Sequence, residues 1–297
     1  MSIMEKPDKP VRLTYYTKDA LTCPVCGAKV HKEEILSGGG RLMAGKLSEE
    51  LHRSYEPTKK YGEVYPLIYN IVVCNTCYFA SFPIDFNASM KEENAYSLRA
   101  KEEEREQLVF PLFPGLDFTK QRTLSEGVAS YLLAMFCYEN GTHSPAPTFR
   151  QGLCALRAAW LSQYLDIKHP DQNYDYLVTM LYRKAAFYYR KALELDAEGV
   201  EACSKIAYMG PDADNNYGFD GVQYLAGLLE FKYGVRNDPI MRISALENAC
   251  KVLSRIVGLG KSSRSKPSAI IDYARDAYMA MKAEQKKLQE EHQTEAS

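Results

Sequence analysis

Two Cys-x-x-Cys pairs among short β-like runs, followed beyond residue 120 by apolar residues at helical spacing, predict a mainly α chain. Its two parts are a small N-terminal β zinc-ribbon-like module and an α-helical, tetratricopeptide (TPR)-like repeat domain. With 297 residues, 46% of them hydrophobic, the chain is long enough for two domains and a sizeable core. The expected division is a module over 1–90, a charged connector over 91–119, the TPR-like domain over 120–285 and a flexible tail over 286–297.

The module is read from residues 13–86. Leu13 to Thr17 precedes the first Cys pair, Lys29-Val30-His31 follows it, and Tyr69 to Val73 runs into the second, each β-like and bounded by turn residues. Ser37-Gly38-Gly39-Gly40 and the charged stretch through Lys60 predict a loop with one short helix. Met90 to Gln107, rich in Lys and Glu with little apolar periodicity, predicts a solvated connecting helix, which Phe110-Pro111-Leu112-Phe113-Pro114-Gly115 breaks.

Helical spacing then marks segments near 122–139, 149–165, 172–195, 198–208, 219–233 and 240–258. Ala185-x3-Tyr189-x2-Ala192 has the pattern of a second TPR helix. Tyr224-Leu225-Ala226-Gly227 with Ala245-x3-Ala249 forms another degenerate pair, and Leu132-Leu133-Ala134 with Ala155-x3-Ala159 a third. Small residues at these spacings let helices approach closely, and three such pairs meet the minimum for a stack of repeats. An ordinary helical bundle is the alternative. The run from Ile271 is expected to cap the stack.

Cys23, Cys26, Cys74 and Cys77 are the candidate metal ligands, expected to hold one structural zinc per chain. The 47 residues between Cys26 and Cys74 exceed the spacing of compact ribbons, but each doubling of a loop adds only about 0.6 kcal/mol of closure entropy. Gly27 permits the left-handed turn that aims backbone N–H groups at sulfur. Tyr78 stands where the second knuckle would have that glycine, a placement costing about 1–2 kcal/mol if the turn is the same. His31 is weighed as an alternative ligand. Cys137, Cys154, Cys203 and Cys250 fall on apolar helix faces and are expected to be buried thiols.

Several function classes are disfavoured. Net charge is −1, with 11 Lys+Arg against 10 Asp+Glu over residues 1–90 and 15 of each over 120–260, so no basic field marks a nucleic-acid or membrane surface. The longest apolar stretch, Val128 to Tyr138, is about half of what crosses a bilayer, and the N-terminus lacks an apolar signal core, which predicts a cytoplasmic protein. In that compartment the sequon-like Asn140-Gly141-Thr142 carries no meaning. Gly40 to Leu47 imitates a phosphate loop but ends in Leu47, and Asp212 to Asn216 imitates a calcium loop but has Tyr217 at the glycine position. Both are expected to be ordinary loops, and no catalytic constellation is legible.

Taken in order, several segments resemble a bacterial family, domain of unknown function 2225. They are Cys23-Pro24-Val25-Cys26-Gly27, Ala44-Gly45-Lys46-Leu47, Tyr65-Pro66-Leu67-Ile68-Tyr69-Asn70-Ile71-Val72-Val73-Cys74 and Cys77-Tyr78-Phe79-Ala80. Arg122-Thr123-Leu124, Ser130 to Ala134, Ala158-Ala159-Trp160-Leu161 and Tyr224 to Gly227 extend the likeness over about residues 20–255. The resemblance implies a bacterial cytoplasmic protein with a metal-binding ribbon and TPR-like helices, and assigns no activity. Tyr78, and Leu51 to Tyr55 in place of an Asp-rich stretch, depart from the family pattern. The function expected is a non-catalytic zinc-binding scaffold or adaptor whose helices bind a protein or peptide. Nucleic-acid binding through the ribbon, and a thiol redox or metal-dependent enzyme, are the alternatives.

Overall fold

The computed structural model describes residues 12–141, 144–258 and 268–295. Thr142 of the sequon-like triplet and most of the N-terminal segment lie outside them.

The N-terminal region is four separate antiparallel strand pairs. β1 (Thr14–Tyr16) pairs with β4 (Glu33–Ile35), and inside that pair β2 (Leu21–Thr22) pairs with β3 (Lys29–Val30). β7 (Val72–Val73) pairs with β8 (Ala80–Ser81), so each Cys-x-x-Cys sits at the tip of a short hairpin. The strand expected over Tyr69 to Val73 is shortened, because Pro66 starts a 3-10 turn that holds Leu67 to Tyr69. Between the knuckles the expected short helix is replaced by a hairpin arm, β5 (Met43–Leu47) and β6 (Arg53–Glu56). Gly38, Gly39 and Gly40 all have left-handed φ, which turns the chain into the arm and bars a helix start there.

α1 (Pro83–Phe86) leads to α2 (Glu92–Ala100) and α3 (Glu102–Val109). The solvated connector is thus two helices, and they dock: Leu98, Arg105 and Val109 are fully buried, and both helices pack on α4 (Leu124–Asn140). Charge density masked this, because a stripe of three residues suffices to seat a short helix. The Phe110–Gly115 segment also docks, with Phe113 stacked on Tyr174 at 6.2 Å.

Thr123 and Glu126 form a capping box that starts α4, and Pro147 starts α5 (Pro147–Lys168). α5 is buried almost without break from Phe149 to Ser162, as a helix covered on all sides must be. α6 (Tyr174–Ala197), α7 (Gly218–Tyr233), α8 (Pro239–Gly258) and α9 (Ser268–Glu295) follow, each helix from α4 onward packing on the next. The described part of the 286–297 tail is helical. At Gly152 a Cβ would meet the Tyr189 ring at 3.0 Å, so this glycine sets how closely α5 and α6 approach.

The helix expected over 198–208 does not form. Val200 and Glu201 N–H groups both bond back to the Leu195 carbonyl, Gly199 takes φ 72°, and only a 3-10 turn at Cys203–Lys205 remains. One apolar core joins Leu67, Ile68, Ile71, Val73 and Phe82 of the N-terminal region to α4 through α9. A smaller cluster surrounds the four cysteines, with Val25, Val72, Phe79, Phe86, Leu98 and Cys137.

Candidate metal centre

The two knuckles have the same backbone. Gly27 N–H donates to the Cys23 carbonyl and Tyr78 N–H to the Cys74 carbonyl, both at 2.9 Å. Cys23 and Cys74 N–H groups in turn donate to the carbonyls of Ala28 and Phe79 at 2.9 and 2.8 Å. Gly27 has φ 78° and Tyr78 φ 55°, so the tyrosine accepts the left-handed strain foreseen for the glycine position. Its ring lies edge-on to Phe110 at 5.4 Å, a contact no glycine could make.

These turns bring Cys23, Cys26, Cys74 and Cys77 together with all four sulfurs within 4.8 Å of one another. Cys23 Sγ lies 3.7 Å from Cys77 Sγ, and Cys26 Sγ lies 3.6 Å from Cys74 Sγ. Four thiolates about 2.3 Å from a central zinc would stand about 3.8 Å apart at tetrahedral angles, so the spacing fits. Cys23, Cys74 and Cys77 are buried and Cys26 is partly exposed. All eight cysteines are free.

Crowding sets the proton inventory of the metal-free cluster. Hydrogen bonds from the Cys23 and Cys77 thiols pull Cys74 down to about 2, making it the thiolate that forms first. Its neighbours then titrate against that charge: Cys23 is pushed up to about 12, chiefly through Cys74, and Cys77 is raised by Cys23 and Cys74. Backbone N–H groups of Val25 and Cys26 favour the Cys23 thiolate, as those of Thr76 and Cys77 favour Cys74. A divalent cation held here would supply the field that lets all four ionise.

Two arginines brace the site. Arg99 on α2 donates from Nε and Nη2 to the Val25 carbonyl at 3.1 and 2.6 Å. Arg105 on α3 donates from Nε to the Cys77 carbonyl at 2.8 Å and from Nη1 to the Leu98 carbonyl at 2.5 Å. Arg105 is fully buried, its Nη2 has no partner, and no carboxylate pairs with it among the described residues. A buried cation without a counter-charge is costly. Four thiolates around a divalent ion carry a net charge of about −2, the compensation this guanidinium lacks. The donor set and the orphaned cation therefore both fit a divalent metal.

His31 is exposed and turned away, its Nδ1 at 2.8 Å from the Thr17 carbonyl oxygen. Cys137 lies in the same apolar cluster but outside the set of four, and burial pushes its thiol up to about 11. Cys154, Cys203 and Cys250 are buried as expected, Cys203 in the 3-10 turn rather than in a helix.

A second constellation was not legible in the sequence. The arm tip, Ser48 to His52, docks on the helices. Glu50 Oε2 accepts from Trp160 Nε1 at 2.7 Å and Tyr182 OH at 2.8 Å, and Oε1 accepts from Lys232 Nζ at 2.8 Å and Tyr233 OH at 3.1 Å. Leu51, at φ 60°, is fully buried. His52 stacks on Trp160 at 4.3 Å, with Nδ1 at 2.5 Å from Asp212 Oδ2 and Nε2 at 3.1 Å from Tyr164 OH. Burial would raise the Asp212 carboxyl, but His52 and the N–H groups of Arg53 and Ala213 outweigh it and hold the pKa low. The calcium-like Asp212–Asn216 loop is thus a docking loop for the arm. Gly40 to Leu47, the phosphate-loop imitation, is the turn into that arm followed by its first strand, β5. A shallow surface depression beside His52, with room for about one water molecule, is lined by Tyr55, Tyr65, Tyr164 and Asp212.

No described helix is long and apolar enough to cross a membrane. No solved structure matches the chain. An uncharacterized protein of Borreliella burgdorferi (strain ATCC 35210 / DSM 4680 / CIP 102532 / B31) is 42% identical over 277 residues, 93% of this chain and 99% of the relative. The model of a family described as "Uncharacterized protein conserved in bacteria (DUF2225)" matches residues 15–281, wider at both ends than the motifs alone suggested. With nine-tenths of the sequence inside that match, the chain belongs to the DUF2225 family of bacterial proteins.

Proposed function

We propose that this protein is a non-catalytic, zinc-binding scaffold or adaptor. In this reading Cys23, Cys26, Cys74 and Cys77 hold one structural zinc, and the helices from α4 onward act as TPR-like repeats that bind a protein or peptide. The observation that carries the metal half is the tetrahedral spacing of four sulfurs beside an uncompensated buried arginine. Four protein ligands close the coordination shell, leaving no position for a substrate or a reacting water, as in structural rather than catalytic zinc sites. Sequential packing of α4 through α9 supports the repeat half.

Metal analysis of the purified full chain tests the first half. One zinc per chain, with Cys23, Cys26, Cys74 and Cys77 protected from a thiol reagent until a chelator is added, is the expected result. Metal-free protein with reactive thiols would remove the reading. A peptide screen against the same full chain tests the second half, and no saturable ligand would count against it.

A further inference from the structure

The helices already hold a peptide-like segment: their own arm. Donors from three helices, Trp160 on α5, Tyr182 on α6, and Lys232 and Tyr233 on α7, converge on one carboxylate, that of Glu50. Tyr182 and Tyr233 stack at 4.1 Å to form one wall of this cradle. Tyr224 OH donates to the Glu49 carbonyl at 2.8 Å, and Lys232 also reaches Glu49 Oε1 at 2.8 Å. Leu51 fills the apolar space beside it. Glutamate, leucine and a tight left-handed turn are what the site reads, and the reading elements are helical side chains rather than backbone.

The arm is a hairpin of its own, tied to the helices also by Arg53, which donates to Asp212 and Asp214, and by Tyr273 OH, which donates to the Leu47 carbonyl. β5 and β6 pair only with each other among the described strands, and Met43, Ala44, Lys46 and Glu56 are exposed. The arm joins the rest of the chain through Gly38-Gly39-Gly40 on one side and a turn closed at Thr58 and Gly62 on the other, all four glycines at left-handed φ. Such joints absorb backbone rotation at little cost.

We infer that the Trp160–Tyr182–Lys232–Tyr233 cradle is a binding site for an acidic, turn-forming Glu-Leu segment of a partner protein, occupied in cis by the arm tip. The inference rests on the repeat-stack reading above and names its ligand class. Charge complementarity favours this occupant: Lys232 and three neutral donors suit one carboxylate and offer nothing to a cation.

The probe is a cyclised peptide of residues 47–53, Leu-Ser-Glu-Glu-Leu-His-Arg, titrated by fluorescence anisotropy into the full chain. Glu50→Lys, which sets a second ammonium against Lys232, undocks the arm and opens the cradle. The variant is expected to bind the peptide, roughly tenfold or more tighter than the same peptide carrying Glu50→Gln, the scale of one charge-assisted hydrogen bond. The wild-type chain is expected to bind both peptides weakly. A folded Glu50→Lys variant that binds neither peptide, or both alike, overturns the inference. Should the variant not fold, hydrogen exchange on the wild type decides. Arm-tip amides that exchange well ahead of those in α5 support an arm that opens, and amides equally protected in both refute it. If another peptide from the screen binds while the acidic one fails, this occupant falls and the adaptor reading stands.

Discussion

At the scale of single residues, the four clustered cysteines were legible because Cys-x-x-Cys is a local signal: both partners of a knuckle lie within one turn. Tyr78 was equally legible, since the position demands left-handed φ whatever fills it, and the structure gives 55°. Arg105 was not, because nothing in a Lys- and Glu-rich run marks which cation turns inward. If the four cysteines hold zinc as proposed, Arg105→Gln is expected to keep the fold and speed metal release to a chelator by roughly 10- to 100-fold, the usual effect of losing an outer-shell partner. A colorimetric chelator assay reads it, with Arg105→Lys partly restoring retention. Release at the wild-type rate would mean that the cation is compensated by something other than the metal site. Leu51→Ala, at a fully buried position, should cost about 2–5 kcal/mol of stability in urea unfolding.

Among elements, the helices from α4 onward were read well because long amphipathic or fully apolar runs carry a strong period. The 198–208 segment fooled that reading: Cys203 and Ile206 are buried, as the period required, yet the chain reaches them through a loop tied to Leu195 and Pro145. The arm was missed for a different reason. Its stem strands are half exposed and its anchor, Glu50, is a residue type that composition assigns to the surface. The anchor titrates in a defined direction. Burial alone would raise the Glu50 carboxyl, but the Lys232 charge and hydrogen bonds from Lys232, Trp160 and Tyr182 outweigh it and hold the pKa below the ordinary 4.5. A depressed folded pKa contributes stability above 4.5 that is lost as pH falls through the folded value. Wild-type protein should therefore lose more stability than Glu50→Gln between about pH 5 and about pH 3, measured by urea midpoints. Parallel losses in the two proteins would show that the carboxylate is not the anchor.

For the whole molecule, the N-terminal region and the helices share one core, since Ile68 packs on Gly127 of α4 and Trp160 of α5 reaches Glu50 of the arm. Sequence reading separates regions by composition, and composition does not record which apolar faces meet. Metal removal should therefore be felt beyond the knuckles. A strong chelator is expected to lower the melting temperature of the full chain and to broaden its transition, seen by calorimetry, with zinc restoring both. An unchanged melt after complete zinc removal would confine the metal's role to the cysteines themselves.

The arm lies inside the span that the cysteines close. A metal joining Cys26 to Cys74 would act on the chain as a cross-link does, tying off a loop of 47 residues that contains all of β5 and β6. In the chain-entropy account, closing a loop of that size removes about 4 kcal/mol of freedom from the unfolded state. The tie would also keep the two ends of the loop that carries the arm beside each other. Metal binding would thereby enter the stability of the arm's surroundings as well as that of the knuckles.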